Sequence, residues 1–250
     1  GKWMRARGNR GRVQIATKVG LLRLSNGRKG LAPDLIAEAI ELSLRRLQTD
    51  YVDLYYAHRD DPDAPQEDVA AAFDALVRAG KVRGIGASNF TVDRLASALD
   101  ISERSGLARY GALQPELNLM ASEGFAPDYR RQCIDRDVGG LVYFALANGF
   151  LTGKYRARAD AQDVMRSRMI DKYFNPRGEA VLAALDRVAA ETGATVAQIS
   201  LAWLIATPGV TAPIASATSV AQVESLIPAM TLKLSGEQMA VLDKAATTPA

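Results

Sequence analysis

Cysteine is nearly absent: Cys133 is the only one in 250 residues, which rules out an intrachain disulfide and any CxxC metal or redox motif. Histidine is equally scarce. His58 stands alone, no Cys/His spacing suited to zinc exists, and a metal-free protein is expected. No apolar run approaches the roughly 20 residues that a membrane span requires. The G-x-G-x-x-G turn of an open dinucleotide-binding sheet is also missing. Acid is missing from residues 1–30, which hold nine Lys/Arg (Lys2, Arg5, Arg7, Arg10, Arg12, Lys18, Arg23, Arg28 and Lys29), while the whole chain carries only +3. Such a start is compatible with a nucleic-acid arm or a transit peptide. Against both, it contains a good strand at Val13–Lys18, little serine and one aromatic, Trp3. The expectation is a cytoplasmic protein with neither a membrane nor a nucleic-acid partner.

What the chain does have is alternation. Six β-rich runs, Val13–Lys18, Tyr51–His58, Val82–Asn89, Tyr110–Asn118, Gly140–Leu146 and Thr211–Ser216, are separated by amphipathic helices. That rhythm predicts βαβ crossovers on a parallel sheet in a single domain spanning residues 1–250. Ile36, Ile40, Leu44 and Leu47 share one helical face over Asp34–Leu47, with Asp34 placed as N-cap. Val69, Phe73, Leu76 and Val77 mark a helix ended by Gly80, and Val92, Leu95, Ala96 and Leu99 mark the next. Further helices are expected over Ala180–Glu191, over Thr195–Ala206, from about Val220, and after the capping box Ser235-Gly236-Glu237-Gln238. Tyr155–Arg177 is the longest irregular stretch, a length typical of functional lids or disorder.

An open doubly wound sheet and a closed barrel both fit this alternation. Without the glycine fingerprint the barrel is preferred, because nearly every predicted strand ends in a polar residue: Lys18, His58, Ser88 with Asn89, Gln114 with Asn118, Tyr143 and Ser216. In a barrel those ends converge on the face where barrel enzymes place their chemistry. A Lys and a His on adjacent strand ends would lie about 5–8 Å apart, a plausible arrangement for tuning a proton donor. Tyr56 faces the same side as His58, one layer deeper.

The stretches Ile15–Gly20, Leu44–His58 and Gly80–Phe90, with Gly149–Tyr155 and Pro213–Ser219, resemble consecutive signatures of the aldo-keto reductases. The resemblance implies a (β/α)8 TIM barrel whose strands three to eight are the six runs above. Strands one and two, roughly 55–65 residues at about 30 per βα unit, would then precede residue 1. It implies NADP(H)-dependent reduction of aldehydes and ketones, with NAD also possible and a small carbonyl compound as substrate. The alternative is a nicotinamide-binding regulatory or inactive relative. Lys18 and His58 would be two members of an Asp, Tyr, Lys, His tetrad whose Asp and Tyr fall upstream. Ser88, Asn89 and Gln114 would hold the nicotinamide carboxamide, and Tyr143 would stack on its ring. Leu146, Gly149, Lys154 and Arg168 match pyrophosphate positions, while Ser216, Thr218 and Gln222 match the adenosine-phosphate site.

Blander uses remain open from the residues alone. Ser88-Asn89 suits a cap for the helix starting near Thr91, Tyr143 suits a barrel-filling layer, and Ser219–Gln222 is itself a capping box. The chain departs from the family pattern at Leu117, at Phe144-Ala145, at Leu226, and in lacking Lys or Arg in its last phosphate loop.

Overall fold

The computed structural model describes residues 1–21, 23–24, 27–161 and 167–249. The chain gathers into two compact units, Gly1–Gln114 with Gln132–Gly139, and Pro115–Arg131 with the residues from Gly140 onward.

The first unit opens with a short helix, α1 (Lys2–Arg7), and then alternates β1 (Ala16–Val19), α2 (Pro33–Leu47), β2 (Val52–Ala57), α3 (Gln66–Arg78), β3 (Val82–Ser88), α4 (Val92–Ser105) and β4 (Tyr110–Gln114). The strands pair in chain order and all in parallel, so each helix is a crossover. Side chains alternate across this sheet. Tyr55 and Tyr56, both fully buried neighbours on β2, therefore serve different layers. Tyr55 faces the helices, its ring tilted against Phe73 of α3 at 5.5 Å, and Phe73 in turn meets Tyr110 edge-on at 6.0 Å. Ile36 and Ile40 of α2 and Leu95 and Leu99 of α4 complete that apolar layer without exposure. Tyr56 faces the other way, aligned with Lys18 on one side and Gly86 on the other.

The second unit contains α6 (Ser167–Ile170), α7 (Pro176–Thr192), α8 (Val196–Ala206), β6 (Val210–Pro213), α9 (Val220–Leu226) and α10 (Gly236–Ala246). The helix α5 (Pro127–Asp135) and the strand β5 (Gly139–Val142) fall where the chain passes between the units. Gly140 pairs with Val210 and Val142 with Pro213, again in parallel. Only glycine fits at 140, because a Cβ there would lie 2.4 Å from the Gly209 carbonyl oxygen. The Trp203 indole donates to Asp243 at 2.8 Å, tying α8 to α10. Among the described residues no single helix is long and apolar enough to cross a membrane.

Several expected boundaries shift. Ala32, not Asp34, is the N-cap of α2, because Pro33 takes the first helical position and leaves Asp34 in the first turn, where it suits the helix dipole. Residues 13–15 precede the ladder of β1, whose first paired residue is Ala16. Strand β4 stops at Gln114, since Pro115 follows and has no N–H to offer; Asn118 instead bridges Ala121. Helix α7 begins earlier than Ala180, with Asn175 as N-cap accepting from Gly178 N and Pro176 at N1. The stretch expected to be irregular over Tyr155–Arg177 holds α6 and short 3-10 turns, and its residues 162–166 lie outside the described residues. The expected capping box at Ser235 is complete, as is one at Thr195.

Candidate active site

Within the first unit the C-terminal strand ends build a polar rim in register. Lys18 aligns with Tyr56, Tyr56 with Gly86, and Gly86 with Ala112, forming one inward layer. Two residues further along each strand come His58, Ser88 and Gln114, with Ser88 aligned on Gln114. His58 is locked to the sheet because its N–H donates to Val19 O at 2.8 Å. The buried Ser88 hydroxyl donates to Gln114 O at 2.8 Å. Asn89 turns sharply, with φ +54°, and its amide Nδ2 donates both to His58 O at 2.9 Å and to Ser88 Oγ at 3.0 Å. Asn is among the few non-glycine residues that tolerate this left-handed backbone.

The open choice for Ser88-Asn89 is thereby decided: neither caps a helix. Thr91 caps α4, accepting from Arg94 N at 3.3 Å, which leaves Ser88 and Asn89 to stitch three strand ends together. The segment beyond His58 is pinned as well. Asp60 takes a two-pronged hydrogen bond from Arg94 at 2.7 and 3.0 Å, and Asp61 accepts from Leu31 N at 2.7 Å.

Charge tuning follows from this burial. The half-buried Lys18 ammonium is held below its ordinary pKa by desolvation. Desolvation likewise lowers His58, and the positive charges of Lys18 and then Arg59 add to the effect. His58 is therefore a neutral imidazole near pH 7, able to donate one N–H. Burial raises the Tyr56 phenol, with the Gln114 side chain offsetting part of the shift. That hydroxyl is nonetheless without a partner at hydrogen-bond geometry.

In the second unit, Tyr143 follows β5 directly and bridges Glu116, its N–H donating to Pro115 O at 3.0 Å. Its half-buried ring meets Phe144 edge-on at 5.1 Å, so Tyr143 is not a fully buried layer residue. Beyond it the backbone is held in the left-handed region at Phe144 and again over Ala147, Asn148 and Gly149. Such conformations concentrate where a loop serves a ligand. Leu146 sits at the N-cap of the 3-10 turn Ala147–Thr152. A Cβ on Gly149 would meet Lys154 Cε at 3.8 Å, so the exposed Lys154 folds back beside this turn. Helix α6, which carries the exposed Arg168, packs against the same turn. Past β6, Ile214 N donates to Val142 O at 2.8 Å, which keeps the start of the Ser216–Ser219 loop beside Tyr143.

Gln222 departs from the capping-box expectation. Ser219 does accept from Gln222 N at 3.2 Å, but Gln222 Oε1 turns to Thr218, accepting from its N–H at 2.7 Å and its hydroxyl at 3.0 Å. The reciprocal half of the box is therefore absent, and the amide braces the loop instead. Ser216, Thr218 and Gln222 are all exposed, and Glu224 is the only charged side chain from Ser216 to Leu226. Sequence reasoning missed two supporting features, Gly86 beneath Tyr56 and the left-handed run at Ala147–Gly149. The Asn148-Gly149 pair, a common turn dipeptide, was the available signal for the second.

A profile described as the Aldo/keto reductase family matches residues 1–247, and the chain belongs to that family of oxidoreductases, whose fold is a (β/α)8 barrel. It is 30% identical over 248 residues to the Schizosaccharomyces pombe protein named aldo-keto reductase yakc, NADP(+), covering 94% of this chain and 70% of that protein. It is 31% identical to aldo-keto reductase YhdN of Bacillus subtilis, covering 90% and 68% of the two chains. A protein named probable voltage-gated potassium channel subunit beta from Arabidopsis thaliana is 29% identical, covering 85% and 66%.

Proposed function

We propose that the protein is a nicotinamide-dependent carbonyl reductase acting on small aldehydes or ketones. The observation that carries this reading is the rim of the first unit, where a desolvated Lys18, a neutral His58 and the linked amides and hydroxyl of Ser88, Asn89 and Gln114 occupy successive strand ends. That set of donors and acceptors suits a carboxamide, which needs a donor facing its carbonyl oxygen and acceptors facing the two N–H of its amide nitrogen. In the second unit, Lys154 beside the left-handed Gly149 turn, with Leu146 and Arg168 nearby, suits a pyrophosphate. Tyr143 offers an aromatic face, and Ser216, Thr218 and Gln222 offer neutral donors.

The dinucleotide, when bound, supplies the hydride. His58 donates its N–H to the carbonyl oxygen and orients it. Lys18, half-desolvated, stabilises the negative charge that builds on that oxygen and favours proton release from the tetrad Tyr that the family resemblance places before residue 1, so that this Tyr gives the oxygen the proton that completes the alcohol. Tyr56 is no substitute proton donor: it lies one layer down, fully buried, with its pKa raised. NADP(H) is the favoured cofactor on the family resemblance and the name of the yeast relative, and a cytoplasmic location goes with it. The names of the channel-subunit relatives favour one alternative, a cofactor-binding subunit without turnover.

Calorimetric titration with NADPH and with NADH, followed by NADPH oxidation with an aromatic aldehyde, tests the proposal. Binding with turnover that drops about 10²–10⁴-fold in His58→Ala supports it. Binding without turnover favours the subunit reading, and a folded protein that binds neither nucleotide overturns both.

A further inference from the structure

The layer beneath the rim holds a feature that the proposed reaction leaves unused. Lys18 extends over the face of Tyr56, with its Nζ 5.8 Å from the ring centroid. The ring cannot move away from this contact. Tyr56 has no exposure, its backbone neighbours in the sheet are Lys18 and Gly86, and the space of the missing Gly86 side chain is filled by Tyr56 Cε1 and Cδ1, 2.5 and 2.6 Å from where a Cβ would stand. The hydroxyl at the far end of the ring finds no aligned partner. The Gln114 side chain lies near that hydroxyl without an aligned hydrogen bond, so packing against Gly86 rather than the hydroxyl fixes the ring.

We infer that Tyr56 is a positioning residue: its ring face holds the Lys18 ammonium beside His58. The geometry is that of a cation–π contact near the outer limit of its range, where partial desolvation strengthens it. Gly86 is part of the device, since a Cβ there would lie 2.5 Å from Tyr56 Cε1, in the space the ring occupies. The groups that bear on Lys18 from the neighbouring strand are the Tyr56 ring and His58, while Arg59 acts on His58 and Gln114 on the Tyr56 hydroxyl.

The inference rests on the carbonyl-reductase reading only for its consequence in turnover; the contact itself is readable without it. Because His58 is the only histidine in these 250 residues, its imidazole resonance is unambiguous in this chain, and its titration reports how closely the Lys18 charge is held. Tyr56→Phe keeps the ring and is compared with pentafluorophenylalanine at the same position, nearly the same shape with the quadrupole reversed. The expected result is an unchanged His58 midpoint in Tyr56→Phe and an upward shift toward the ordinary histidine value with the fluorinated ring. Lys18→Met should raise the midpoint in the Phe protein but add little in the fluorinated one. NADPH-dependent turnover should fall about two- to five-fold with the fluorinated ring, the ratio a contact of this class supports. Equal His58 midpoints for the two rings, or Lys18→Met effects of equal size in both, overturn the inference whatever the turnover. Absence of carbonyl reduction in the unmodified protein would instead remove the reductase reading and leave the titration to decide the contact.

Discussion

Adding one methyl group to β3 tests the inner layer directly. A Cβ at Gly86 would lie 2.5 Å from Tyr56 Cε1, 2.6 Å from Cδ1 and 3.0 Å from the Ala112 carbonyl oxygen. Strand β3 is paired on both sides, with an irregularity in its β4 ladder between Ile85 and Gly86, and the ring has no exposed direction into which to swing. Overpacking of this kind costs about 1–3 kcal/mol. For a chain of this size each kcal/mol lowers the melting temperature by about 2–4 °C, so Gly86→Ala should melt several degrees early. Gly84, two residues earlier on the same face, is the control. Its added Cβ would meet Asp53 O at 3.6 Å and Leu54 Cδ1 at 3.8 Å, ordinary contacts, and its φ is not positive. Removing the freedom of a glycine there should stabilise by about 0.4–1 kcal/mol. Opposite signs two residues apart are thus expected by differential scanning calorimetry. Tyr56→Val, by removing the ring, should largely cancel the penalty of Gly86→Ala in the double variant. If Gly86→Ala melts at or above the parent temperature, the placement of Tyr56 against Gly86 is wrong, and with it the argument for a fixed platform under Lys18.

Two further outcomes follow from the rim. Asn89→Ala should lose the hydrogen bonds to His58 O and Ser88 Oγ and strain a backbone at φ +54°, whereas Asn89→Gly relieves the strain alone; NADPH titration should rank the parent above Gly and Gly above Ala, and an equal loss in both would show that the backbone conformation does not matter. Because the folded protein lowers the His58 pKa, the unfolded chain binds more protons below the ordinary value of 6.5, so stability is present above that pH and is lost as pH falls toward the folded value. Melting curves from pH 7.5 to 5 should therefore show a smaller decline for His58→Asn than for the parent, and identical slopes would refute the burial of His58.

The alternation of strand and helix, the polar residues ending most strands, and the motifs of Leu44–His58 and Gly80–Phe90 were legible in the sequence because they are local: period-2 and period-3.6 patterns, caps and glycine stops need only neighbouring residues to be read. Helix α5 was not, for a physical reason: over Pro127–Asp135 the chain buries only Cys133, so no apolar stripe announces it. The cap of α2 is not readable locally, because an acid in a first turn looks much the same as an acid at a cap, and only the backbone angles at Ala32 separate the two. Ser88-Asn89 and Gln222 likewise had two local uses each. Register decided the first, by setting Ser88 beside Gln114 and Asn89 over His58 O, and the Thr218 hydroxyl decided the second by competing for Gln222 Oε1. Tyr56 shows the division most clearly. Its side of the strand follows from its spacing to His58, but a ring that lies over an absent side chain two strands from Lys18 depends on parallel pairing between residues 18, 56 and 86, which no local pattern encodes and only the folded sheet brings together.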